Sequence, residues 1–148
     1  MEKLAEHKSL SMARDLIHNL VKTALQNAGW KITHDPYSLK VGGFDMEVDL
    51  GAETLMAAER DTERIAVEIK TFAGLSKVYD FHLAVGQFVD YKIALHTKDP
   101  DRQLFMAITA DVYEDLFQIP FAKLVVETIG MKLIVVDKDG KDIKAWIS

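Results

Sequence analysis

The sequence predicts a mixed α/β fold, a mixed central sheet with two long helices packed against it. Three observations carry that expectation. Apolar residues recur at helical spacing over residues 12–28 and again over 77–95. Between them, residues 44–50 and 64–71 alternate apolar with charged side chains, the period of a strand. Residues 132–136 and 143–146 flank Asp137-Lys138-Asp139-Gly140 and read as a closing hairpin.

Residues 1–11 lack clear periodicity and form a tail that either frays or extends the first helix; the single domain spans 12–148. In the first helix Leu16, Ile17, Leu20, Val21, Ala24, Leu25 and Ala28 form the apolar stripe. Ser11 is placed as its N-cap, Asp15 near the positive end of its dipole, and Gly29 at its end. Residues 30–33 form a short strand, and Asp35-Pro36 and Gly42-Gly43 mark turns on either side of 37–41. In the strand 44–50, Asp45, Glu47 and Asp49 share one face, and Met46, Val48 and Leu50 the other. Residues 53–60 read as a helical turn or as an irregular excursion. In the strand 64–71, Ile65, Val67 and Ile69 face a core while Glu68 and Lys70 share the opposite face.

The second long helix takes Phe81, Ala84, Val85, Phe88 and Ile93 as its apolar positions. Asp99-Pro100-Asp101 is a loop, and residues 103–109 are a strand with Leu104, Met106 and Ile108 on one face. Asp111, with Glu114 three residues on, has the character of a capping box before a helix over 112–117. A last helix over 121–129 ends at Gly130.

At 148 residues, 49% apolar and 28% charged, the chain can bury a sizeable core and still present a charged surface. It has no cysteine, which excludes disulfides, thiolate zinc sites and cysteine nucleophiles. No apolar run approaches the roughly 20 residues that span a bilayer. The first residues are too polar for a signal peptide, so a cytoplasmic location and no membrane partner are expected. The net charge of −5 argues against tight, autonomous binding to bulk DNA, because phosphate neutralisation supplies most non-specific affinity.

Glu68 and Lys70 on one strand face, with the carboxylates of Asp45, Glu47 and Asp49 on another strand, make an oxygen site for a hard divalent cation with a lysine beside it. Asp49 and Glu68 would ligate the metal, and Lys70 would orient or help deprotonate the attacking water. The alternatives are a solvated strand face for the acids and a surface salt bridge for Glu68 and Lys70. Gln87 and Tyr91, four apart, share a helix face. His18 lies at helical spacing from Arg14 and Lys22, and His34, His82 and His96 have no metal-binding spacing. Trp30, Phe88, Phe105 and Trp146 read as core or edge packing. Neither a glycine-rich phosphate loop nor a nucleophile elbow is present, which sets a small-molecule enzyme last.

In that order, Asp49 and Glu68-Ile69-Lys70 resemble the PD-(D/E)xK nuclease superfamily, with Val48 where that pattern carries proline. Gln87 and Tyr91 resemble the extra helical motif of its RecB-like branch. A narrower resemblance covers nearly the whole chain after Met12. Ala13-Arg14-Asp15-Leu16-Ile17-His18, His34-Asp35-Pro36, Asp49-Leu50-Gly51-Ala52-Glu53, Val67-Glu68-Ile69-Lys70 and Gly86-Gln87-Phe88 together resemble the XisH family. That family is named for controlling excision of the fdxN element, a programmed DNA rearrangement in heterocyst-forming cyanobacteria.

The resemblance implies a restriction-endonuclease-like αβββαβ core, to which the C-terminal hairpin is added. It implies Mg2+ or Mn2+ with the Ile69 carbonyl as a further ligand, Gln87 and Tyr91 as positioning residues, and His18 lining the site from the first helix. It implies a controlling factor for element excision whose nuclease-like site cleaves or nicks DNA. The alternative is a non-catalytic protein of that fold acting through a partner. The partners implied are DNA, bound weakly by this chain alone, an XisI-like companion and a site-specific recombinase.

Overall fold

The central strands carry apolar residues at consecutive positions, so both faces of the sheet must be covered. The computed structural model, which describes residues 2–45 and 55–148, shows how. The elements are α1 (Glu2–Asn27), β1 (Lys31–His34), β2 (Lys40–Val41), β3 (Phe44–Asp45), β4 (Leu55–Arg60), β5 (Glu63–Ile69), α2 (Lys77–Lys98), β6 (Gln103–Thr109), α3 (Ala110–Asp115), α4 (Pro120–Ile129), β7 (Leu133–Asp137) and β8 (Asp142–Ile147). A six-stranded sheet runs β1-β4-β5-β6-β7-β8, and β2 pairs with β3 in a separate two-stranded sheet. The pairs β5–β6 and β6–β7 are parallel; the outer pairs are antiparallel. With the β2–β3 hairpin as an insertion, α1-β1-β4-β5-α2-β6 reads αβββαβ.

Alternation sorts the side chains into two layers. Ile65, Val67, Ile69, Phe105, Ala107 and Ile134 pack under Val21, Ala24 and Leu25 of α1. Ala66, Leu104, Met106, Ile108 and Leu133 pack under Phe81, Ala84, Phe88 and Leu95 of α2. Each large apolar side chain so buried contributes about 1.5–3 kcal/mol. Trp30 is buried, and Trp146 packs at the sheet edge against it and Phe105, ring centroids 5.7 and 5.1 Å away. Among the described residues no helix is long and apolar enough to cross a membrane.

Five sequence expectations need correction. The helix α1 begins at Glu2, so Ser11 lies inside it and Asp15 is far from its amino end; residues 2–10 contain neither Gly nor Pro and several strong helix formers, so propagation outruns the local cap. Residues 55–60 are neither a helical turn nor irregular but the strand β4, paired with β5 from Leu55↔Glu68 to Arg60↔Glu63. The helix-forming Leu-Met-Ala-Ala is overridden by sheet pairing, and Asp61, with φ 54°, makes the tight turn. Asp45, the described acid of that strand, does not lie beside the Glu68 strand: it is paired with Lys40 across a turn that Gly42 and Gly43 permit at φ 53° and 89°, while β5 is flanked by β4 and β6. Glu47 and Asp49 lie outside the described residues. Thr109, not Asp111, stands at the N-cap of α3, with no side-chain capping bond. Finally, Ile93 points outward, and Ala94 and Leu95 take the inner face of α2.

A polar hub fastens the far end of α2. Asp99 accepts from Arg64 Nη1 at 3.1 Å, Arg102 Nε at 2.9 Å and the Tyr37 hydroxyl at 3.0 Å, and the buried Arg102 donates onward to the Ile65 carbonyl at 3.0 Å. Burial alone would raise the Asp99 carboxyl. The hydrogen bonds from Arg102 and Tyr37 and the charges of Arg102 and Arg64 outweigh it and hold the group below the usual carboxylate range. A carboxyl depressed on folding contributes stability above its unfolded pKa of about 3.9, and that stability is lost as pH falls through the lower folded value. Unfolding free energy is therefore expected to drop below about pH 4, with a shallower drop in Asp99→Asn. Urea denaturation across that window measures it, and an unchanged profile in the variant would refute the assignment.

Candidate active site

The strand β5 delivers Glu68 and Lys70 to the α2 side of the sheet. Glu68 stands between Leu55 of β4 and Met106 of β6, and the ladder continues to the Lys70 amide, which donates to the Ala107 carbonyl at 3.1 Å. Small neighbours on this face, Ala57 and Ala66, sit in register with one another, and α2 passes over it with Gln87. Glu68 is 1% exposed and Lys70 7%. Their charged groups are 3.5 Å apart, and the Lys70 ammonium also donates to Gln87 Oε1. The pair is thus not a solvated surface salt bridge. Halving a buried pair is strongly destabilising, whereas apolar replacement of both is often neutral. Tyr91, one turn beyond Gln87, packs half-buried against the α2-side core.

The segment after β5 is pinned in an unusual shape. Phe72 is buried with φ 54°, a conformation costly for a bulky side chain. Its ring meets Phe117 edge-on at 5.6 Å, and its carbonyl accepts from Lys77 at 2.6 Å. The Gly74 amide donates to Asp80 Oδ2 at 3.0 Å, and a Cβ at Gly74 would lie 2.6 Å from that oxygen, so no larger residue fits without a shift. Ser76 then caps α2, accepting from the Tyr79 amide at 3.1 Å. Together these fix the exit of β5 from Lys70 to α2 on a short, strained path.

Not every expected residue joins the group. His18 Nε2 is 3.0 Å from Asp35 Oδ2, which Lys22 also reaches at 3.3 Å, so His18 ties α1 to the bend after β1. Asp49 lies outside the described residues.

The sequence profile of the XisH protein family matches residues 11–144. The chain belongs to the XisH family. Two solved structures resemble it over 90% of its length and 99% of theirs. An XisH family protein from Nostoc punctiforme is 38% identical with a TM-score of 0.82. An fdxN element excision controlling factor protein from Anabaena variabilis is 39% identical with a TM-score of 0.83. No curated protein is significantly similar to the chain.

In this XisH member the structure adds Arg14 to the residues expected from sequence. A cleft of about 160 Å³ opens beside Lys70, lined by Arg14 of α1, the pinned segment from Thr71 to Gly74, Asp80 and Leu83. The signal was present: Arg14 is four residues before His18 and so on the same face of α1. The cleft lies where the parallel strand β5 ends, the end at which open α/β sheets bind ligands. Among the described residues no three acidic, histidine or cysteine side chains converge on a metal position. The buried Glu68 carboxylate and the adjacent Ile69 carbonyl are nonetheless oxygen donors of the type a hard cation takes. They fit part of such a set, for which the sequence leads one to expect Asp49 as the second carboxylate.

Proposed function

We propose that this XisH chain is a controlling factor for excision of a DNA element and works through a PD-(D/E)xK nuclease-like site that nicks or cleaves DNA. The observation that carries the reading is the buried Glu68–Lys70 pair held by Gln87 at the end of β5. The Anabaena variabilis relative, named as an excision controlling factor, supplies the biological setting.

Asp49, Glu68 and the Ile69 carbonyl would hold Mg2+ or Mn2+, which when bound polarises the scissile phosphate and supplies a nucleophile at neutral pH. Glu68 and Gln87 fix the Lys70 ammonium, so Lys70 meets the attacking water without reorganising. Tyr91 supports the helix face that carries Gln87. Arg14, at the mouth of the cleft, is placed to attract a phosphate.

A second reading is favoured by one observation, the net charge of −5. In it the chain keeps the fold without turnover and acts through an XisI-like companion or a site-specific recombinase. Supercoiled plasmid incubated with the purified chain, alone and with the companion, separates the two. Nicking that requires Mg2+ or Mn2+ supports the catalytic reading, and none under either condition leaves the partner-dependent one. DNA engagement by the chain alone is expected to be weak and to strengthen when a companion adds basic surface. Affinity measured against salt concentration tests this, and tight binding by the chain alone at physiological salt would overturn it.

A further inference from the structure

The helix α2 is apolar on two opposite faces, and the fold uses one. Phe81, Ala84, Phe88 and Leu95 point into the core. On the other side Tyr79, His82, Gly86, Val89 and Ile93 follow one another at alternating steps of three and four residues, the spacing that keeps side chains on one face of a helix. Tyr79 is 65% exposed and Ile93 63%, Val78 and Leu83 flank them, also exposed, and Leu75, 99% exposed, stands just before the N-cap Ser76. Among the described residues nothing covers this face. From Tyr79 to Ile93 it is about 21 Å long at 1.5 Å per residue, and exposed apolar side chains gathered on one helix face mark an interaction site.

Gly86 sits at its centre, and its own fold does not explain it. A Cβ built there meets nothing within 4 Å, and the residue has no positive φ. Glycine in an exposed helix interior is destabilising, so a helix that keeps one without an internal reason points to a close approach from outside. The residues around it are self-complementary. In an antiparallel crossing at Gly86, each residue is level with the one equally far beyond the glycine on the second helix. His82 is then level with Asp90 of the second copy, twice by symmetry. Tyr79 is likewise level with Ile93, and Leu83 with Val89. An isologous interface needs this property of being its own complement.

We propose that the outer face of α2 is a homodimer interface in which two chains cross antiparallel at Gly86. The contact leaves Gln87 on the inner face, facing Lys70, and Leu83 brings the seam to the rim of the cleft beside Lys70. This assignment is independent of whether the chain cleaves DNA. Sedimentation equilibrium of the full chain over a concentration series is the test. The wild type is expected to form a reversible dimer. Gly86→Arg, whose Cβ meets no internal obstacle, should abolish it without lowering the melting temperature below that of wild type diluted to the monomer. His82→Asp should weaken the dimer about tenfold or more by setting carboxylates level with one another. The exchange His82→Asp with Asp90→His should restore it, as only a homotypic antiparallel contact allows. A wild type that stays monomeric overturns the proposal and leaves the face to a different partner. A dimer indifferent to Gly86→Arg, or an exchange that fails to rescue, overturns it too.

Discussion

Glu68→Ala is expected to lower the unfolding free energy by about 3–5 kcal/mol, because it leaves the Lys70 ammonium buried without its carboxylate. Domains of ordinary stability have only about 5–15 kcal/mol to lose. The cause is burial: Glu68 and Lys70 lie under α2, not on a solvated face. Lys70→Ala should cost a similar amount from the other side. The double substitution Glu68→Leu with Lys70→Met removes both charges and fills the space, and it should be close to neutral or stabilising. Urea denaturation of the four proteins measures these differences. A loss below about 1 kcal/mol in both single variants would show that the pair is solvated.

The sequence disclosed part of this arrangement. Ile65, Val67 and Ile69 revealed strand β5 and its α1 face by period alone, and Phe81, Ala84 and Phe88 did the same for the inner face of α2. A period of two says that a strand has two faces, but not that both are covered, so Glu68 and Lys70 were readable as a pair and not as buried. Gln87 was legible as a partner only through family resemblance, since its meeting with Lys70 depends on how α2 lies across the sheet. The strand β4 was hidden because Leu55 to Ala58 suit a helix by propensity and are held as strand by β5. Arg14 was legible only as a neighbour of His18 on one helix face, because nothing in a helical stripe tells which polar residue overhangs a strand end.

The second large effect concerns chemistry. Asp49→Asn and Glu68→Gln should each reduce metal-dependent nicking by about 1,000-fold or more, since a ligated cation supplies several kcal/mol and each ~1.4 kcal/mol is tenfold. Glu68→Gln is preferred to alanine because it keeps shape at a buried position, and Asp49→Asn because it removes the charge alone. Lys70→Met should slow the reaction while a metal-induced rise in melting temperature persists, because Lys70 is not a ligand. Plasmid nicking and thermal melts with and without Mn2+ read these outcomes separately. Robust cleavage by Glu68→Gln would remove Glu68 from the reaction, and loss of the metal shift in Lys70→Met would make the lysine part of the metal's environment.

The burial of that pair also bears on how the chain finds its fold. Sliding β5 by one residue against its neighbours would exchange its faces. Glu68 and Lys70 would then be driven beneath α1 among Val21, Ala24 and Leu25, away from Gln87. The apolar residues of β5 would object little, because either face of this sheet offers them cover. The two charges object strongly. A pair that adds little to the stability of the correct arrangement thus penalises the nearest wrong one, and it sets the alignment of the central strands during folding.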